Sequence, residues 1–147
     1  MLSQREEYLK MAEAERTLWW YCVLHRMVLE AIQRQGIGRE AAIIDAGCGT
    51  GGLMLALKEQ GYTNVRGFDL SEHAVEICRR RQLDVGLADL TRISSLYPHG
   101  SADVLISNDT LYLFDARTQA DITRRCADIL RPGGLLILNV PALRAFG

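Results

Sequence analysis

The spacing of apolar residues along this chain switches repeatedly between two periods. Residues 6–35 carry apolar side chains at helical spacing, with Trp20, Leu24, Met27, Val28 and Ala31 on one face, and the glycines of "QGIG" close the run. "AAIIDA" at 41–46 has the length of a buried strand, and the helical stretch that follows, 50–60, stops at Gly61. The alternation then repeats. "NVRGFDL" (64–70) predicts a strand, and Ser71 is placed to cap a helix that carries Ala74, Val75, Ile77 and Cys78 to Gln82. "DVGLADL" (84–90) predicts a weaker strand and "ADVLISN" (102–108) a stronger one. A helix is expected over 116–130 behind Asp115 as its cap. "RPGG" ends it, because proline cannot continue a helix and glycine accepts the turn, and "LLILNV" (135–140) is the fifth strand.

Strands alternating with helices imply right-handed crossovers and a parallel sheet covered on both faces, an α/β fold. The length of 147 residues fits one such domain, and no repeat, low-complexity segment or linker divides it. A net charge of −1 argues against a broad nucleic-acid footprint, which needs a basic excess. The first sixteen residues are charged throughout and contain no apolar core of a secretory signal, and no apolar run approaches the ~20 residues of a membrane span. Cys22, Cys48, Cys78 and Cys126 are widely spaced, and His25, His73 and His99 are scattered. No metal site is therefore expected, and the thiols read as reduced residues of a cytoplasmic protein. Arg79, Arg80 and Arg81 end a predicted helix, where cations complement the dipole, and read as structural.

One stretch carries chemistry. In "IIDAGCGTGG" (43–52), Gly47, Gly49, Gly51 and Gly52 follow a strand and open a helix. Ligands of open parallel sheets bind beyond the carboxyl ends of the strands, and residues without a Cβ let backbone approach them closely. The spacing satisfies the dinucleotide pattern G-x-G-x-x-G and also G-x-G-x-G, so on its own it does not separate a nicotinamide dinucleotide from other adenosine cofactors. Asp45, two residues before the first glycine, is a poor neighbour for pyrophosphate and suits a ligand that carries positive charge.

"DAGCGTG" resembles the first motif of the class I S-adenosylmethionine-dependent methyltransferases, and later segments follow in register over about residues 40–141. The resemblance implies a Rossmann-like sheet in the order 3-2-1-4-5 and S-adenosylmethionine as cofactor, with S-adenosylhomocysteine as product. By it Asp45, Gly47, Cys48 and Gly49 form the cofactor loop. "GFDLS" places Asp69 on the ribose hydroxyls and Leu70 against adenine, and an acid about 20 positions after the glycines also suits any ribose-binding member of this architecture. "LADL" places Asp89 on the adenine amino group with Ala88 and Leu90 flanking it, and Asn108 of "DVLISNDTLYLF" lines the methionine end.

The N-terminal segment resembles the helix of a bacterial subset with a "WWY" signature, in which it covers the cofactor. The domain then divides into a helical lid over 1–38 and a core over 39–147. The resemblance implies that Trp20 and Tyr21 wall the site and that Arg26 pairs with the cofactor's carboxylate as a bidentate fork; for Trp19 and Trp20 core packing is the preferred reading, since large aromatics dominate cores. Asp109 and Tyr112 are further candidates for substrate contact. No general base stands out, because the position where many related O-methyltransferases carry histidine holds Leu113. The "N-P-P-Y"-type motif of amino-methylating nucleic-acid enzymes is absent, with "SNDT" in its place. The family's strands six and seven have no counterpart after Val140, which leaves strand five as an apolar edge; the expectation is either a fragment of a longer protein or an edge covered by another chain, with self-association there or a compensating rearrangement. The expected function is methyl transfer to a small-molecule acceptor. The alternatives are a truncated cofactor-binding module or partner subunit without transfer activity, and a nicotinamide-dependent oxidoreductase, which Asp45 disfavours.

Overall fold

A computed structural model describes residues 2–108 and 114–139. Asp109, Tyr112, Leu113 and Val140 lie outside the described residues. The chain runs α1 (Gln4–Ala14), α2 (Trp19–Arg34), β1 (Ile43–Ala46), α3 (Gly52–Glu59), β2 (Val65–Asp69), α4 (Glu72–Arg80), β3 (Val85–Leu87), a 3-10 turn (Leu90–Arg92), α5 (Ile93–Leu96), β4 (Ala102–Asn108), α6 (Ala116–Ile129) and β5 (Leu130–Asn139). The five strands are all parallel, in the order β3-β2-β1-β4-β5, as the resemblance implied.

The reversal of winding falls beside β1, whose four residues are all buried. Strand alternation sends Ile43, Val104 and Ile106 into one apolar layer with α2, α3 and α4, and Ile44, Ala46 and Leu105 into the other with α5 and α6. The caps behave as read. The Ser71 hydroxyl accepts from the Ala74 amide at 3.3 Å, and Asp115 Oδ1 accepts from the Thr118 amide at 2.8 Å. That bond holds the Asp115 carboxyl below its ordinary range.

The structure corrects four expectations. The single helix over 6–35 is two helices, because the Glu15 side chain is drawn inside and Leu18 takes an extended conformation that restarts the helix. The buried face of α2 is Val28 and Ile32, with Tyr21 and Leu24 half-buried; Trp20 and Met27 are exposed. The tryptophans are not core residues: Trp19 is 72% and Trp20 59% exposed. A helix apolar around much of its circumference does not fix its own rotation; the neighbours it meets do. Finally, "RPGG" is no turn between elements. β5 pairs from Leu130, and residues 131–134 bulge opposite Asp103, whose carboxylate pairs with Arg131.

Candidate functional site

The turn after β1 is built by backbone and by two kinds of glycine. The amides of Gly47 and Cys48 both donate to the Phe68 carbonyl, at 2.9 and 3.0 Å, and the Gly49 amide donates to Asp69 Oδ2 at 2.8 Å. Three successive donors are thus turned toward the end of β2. Gly49 has φ +57°, and a Cβ there would meet only Met11 Sδ, at 3.6 Å, so this position presents bare backbone. Gly51 and Gly52 answer to packing. At Gly51, φ is +89° and a Cβ would strike Leu83 and the Cys78 sulfur; at Gly52 a Cβ would lie 2.5 Å from the Glu15 carboxyl.

A cavity of about 450 Å³ opens on this turn, lined by Asp45, Gly47, Cys48, Gly49, Leu53, Asp69 and Asn108 from the sheet side. Its other wall comes from the N-terminal helices: Tyr8, Met11 and Glu15 lie at i, i+3 and i+7 along α1 and its end, and Tyr21, Leu24 and His25 on α2. Among the described residues that line it there is no Lys or Arg, whereas three are carboxylates. Burial first, then the neighbouring charges of Asp69 and Glu15, push the Asp45 carboxyl up to about 8. The Cys48 thiol is held protonated, well above its usual range, by its hydrogen bond with Cys78 and by burial. Burial and the Arg16 guanidinium lower the His25 imidazole, which is therefore neutral at neutral pH.

Glu15 is 5% exposed and satisfied from two sides. Its Oε1 accepts from the Thr50 hydroxyl at 2.6 Å and from Arg81 Nη1 at 2.5 Å, and Arg81 also donates to the carbonyls of Thr50 (3.0 Å) and Ala12 (2.8 Å). The carboxyl lies over Gly52, the first residue of α3, where the helix end favours negative charge. Arg81, read from sequence as structural, thereby ties α1 to the glycine turn.

The remaining residues named from sequence are spread along the carboxyl edge of the sheet. Asp69 spends Oδ2 on Gly49 and Oδ1 on the Ser71 amide at 2.9 Å, and each oxygen retains a lone pair for a further donor. Leu70 is 71% exposed, an open apolar face beside it. The Ala88 amide donates to the Asp69 carbonyl at 3.0 Å, which sets the two strand ends side by side. Asp89 Oδ1 caps the 3-10 turn through the Thr91 amide at 3.0 Å. Leu90 is buried in the second apolar layer, facing away from solvent. Arg26 does not line the crevice itself: with Arg16, Glu30 and Glu59 it lines a neighbouring cavity between α2 and α3 that shares Glu15 and His25 with the crevice. Sequence reading missed Tyr8, Met11, Glu15, Leu24 and His25. The spacing of the first three along one helix face was the available signal.

Phosphate recognition at a glycine turn needs free amides and an open helix N-terminus. Here those amides are occupied and a carboxylate covers the start of α3. The residues fit a cationic nucleoside instead.

Comparison with known proteins points the same way. A family model described as a methyltransferase domain matches residues 43–134. The chain is 30% identical over 118 residues to the ribosomal RNA small subunit methyltransferase C of Alcanivorax borkumensis, covering 76% of this chain and 36% of that protein. It is 32% identical over 97 residues to the ubiquinone biosynthesis O-methyltransferase of Ralstonia nicotianae, covering 63% of this chain and 40% of the relative. Among solved structures, a Methanococcus maripaludis protein assigned to the S-adenosyl-L-methionine-dependent methyltransferases superposes with a TM-score of 0.77 at 23% identity, over 94% of this chain and 67% of that one. The chain thus spans well under half the length of these two curated relatives.

Proposed function

The chain belongs to the class I S-adenosylmethionine-dependent methyltransferases, and from that premise we propose that its crevice holds this cofactor while a methyl group passes to a small-molecule acceptor. The observation that carries the reading is the buried Asp45, in a cavity whose described lining holds three carboxylates and no cation. Opposite charge favours the ionised form of such a group, so a bound cation lets Asp45 give up its proton beside the other two acids.

When bound, the cofactor supplies a methyl group already activated on a sulfonium sulfur. The chain's task is then alignment and exclusion of water, and fixed geometry lowers such barriers by several kcal/mol, up to about 7–11 in favourable cases. In this reading Asp69 takes the ribose hydroxyls, Leu70 and Ala88 flank the adenine, and Asp89 takes its amino group through the oxygen not used in capping. Gly47, Cys48 and Gly49 present backbone to the methionine part, with Asn108 beside it. Tyr21 and His25 form the wall toward the acceptor. His25, a neutral imidazole on that wall, is the group suited to take a proton from a hydroxyl acceptor. Leu90 packs beneath the adenine segment.

The near-zero net charge supports a small molecule over RNA, although one relative is named for ribosomal RNA. No helix among the described residues is long and apolar enough to cross a membrane, and a cytoplasmic location belongs to the same proposal. The outer edge of β5, with Leu138 40% exposed, favours pairing with a second copy. Sedimentation of a strict monomer would count against that contact.

The test is transfer of labelled methyl from S-adenosylmethionine to a panel of hydroxylated, carboxylated and amino small molecules, with structured RNA and a protein lysate alongside. Label in a small molecule supports the proposal, and label in RNA or protein alone replaces the acceptor class. Binding of S-adenosylhomocysteine with no transfer to any acceptor favours the other reading, a cofactor-holding module or partner subunit.

A further inference from the structure

Glu15 belongs to no motif of the glycine turn, yet it is the residue of the N-terminal segment most firmly built into the crevice. Its carboxyl takes two hydrogen bonds, fills the space that a side chain at position 52 would need, and lines the cavity together with Asp45 and Asp69. Arg81 meets it from behind: the guanidinium touches Glu15, Thr50 and Ala12 but does not line the cavity. The pair is therefore oriented, with its negative end toward the ligand space. The same carboxyl stands over the first residue of α3, the place where an open sheet of this kind receives a phosphate.

We propose that Glu15 is a specificity residue of the cofactor site, a built-in anion that makes the crevice read ligand charge, favouring a sulfonium over the neutral thioether and refusing phosphorylated adenosines. The inference rests on the reading that the crevice holds an adenosyl sulfonium. It gives the N-terminal helices a chemical role beyond covering the site. The spent cofactor has lost the sulfonium charge, so the same residue that favours its entry as substrate adds nothing to its retention as product. Phosphorylated adenosines meet a carboxylate where they require donors.

The test is a charge series on one fold. Calorimetric dissociation constants are measured for S-adenosylmethionine, S-adenosylhomocysteine and adenosine diphosphate with wild type, Glu15→Gln and Thr50→Val. Glutamine keeps the shape and both hydrogen-bonding contacts of Glu15 and removes its charge. The expected result is graded: the sulfonium ligand weakens at least threefold, the thioether stays within twofold, and adenosine diphosphate tightens. Thr50→Val, which removes a hydrogen bond but no charge, shifts all three ligands by one common factor. A common factor for Glu15→Gln as well, or no change, overturns the proposal, since a purely structural role moves all three alike. Should Glu15→Gln fail to fold, Arg81→Gln keeps the acid and removes its counter-charge. It must then raise the preference for the sulfonium ligand, and a fall overturns the proposal. If wild type binds neither adenosyl ligand, it is the cofactor reading itself that fails.

Discussion

The two walls of the crevice are built by opposite means. The glycine turn after β1 is local: residues 47–52 take their shape from left-handed backbone at fixed positions and from amides that bond to the adjacent end of β2. The wall formed by α1 and α2 is held at a distance in sequence, by Glu15 reaching Thr50 and by Arg81 reaching Ala12 across 69 positions. A local wall announces itself in the residue types it needs. A wall assembled from remote partners does not, because any one of its residues, taken alone, looks like an ordinary surface charge.

This difference predicts where each wall breaks. The largest effect is expected at Gly51, where a Cβ combines a left-handed backbone with a clash against Leu83 and Cys78. Gly51→Ala should destabilise by about 2–5 kcal/mol, the sum of backbone strain and overpacking, read as a lower urea midpoint. Gly49→Ala, with open space around its Cβ, should lose only the strain, about 1–2 kcal/mol. Equal losses at the two positions would refute the division between packing and ligand-facing glycines.

Next comes the anchor of the remote wall. Arg81→Ala leaves Glu15 buried without its cation and should cost about 3 kcal/mol in thermal or chemical unfolding. Protease cleavage between α1 and α2 should accelerate in that variant, while the glycine turn keeps its protection from hydrogen exchange. Loss of protection in both places together would mean that the walls are not separable.

A pH-dependent effect belongs to Asp45, which lines the cavity between the two walls. Its carboxyl titrates near 8 in the fold and near 3.8 in the unfolded chain. Between those values the folded state holds the extra proton, so stability of the ligand-free protein falls as pH rises from about 4 to 8 and levels off above. Asp45→Asn should flatten that dependence. Parallel pH profiles for the two proteins would contradict the assignment. Smallest of all, Trp19→Ser and Trp20→Ser should change stability by no more than about 0.5 kcal/mol, because both rings stand in solvent.

The same contrast explains what the amino-acid sequence made legible. The alternation of strands and helices, the caps at Ser71 and Asp115, and the glycine turn beside Asp45 follow from short-range patterns of strand, turn and cap, whereas the strand order and the role of Asp69 were legible through the family resemblance. The rotation of α2 was not legible, since Trp20 and Met27 share helical spacing with Val28 and only contact with the sheet distinguishes them. The break at Glu15 was equally hidden, as it depends on Arg81 far along the chain. Arg26 had the right chemistry for a carboxylate but lies on the side of α2 that turns toward α3. The short helix Ile93–Leu96 is too brief to show a period.

The central claim is that the crevice beyond β1 and β2 takes a cationic adenosyl ligand with Asp69 on its ribose. Calorimetric titration of the wild-type protein and Asp69→Ala with S-adenosylmethionine, beside a titration with a nicotinamide dinucleotide, tests it most directly. The account predicts one-to-one binding of the adenosyl ligand by wild type, weakened by about 1–3 kcal/mol in the folded variant through loss of charge-assisted hydrogen bonds, and no heat from the dinucleotide. Binding of the dinucleotide alone, or unchanged affinity in Asp69→Ala, would contradict it.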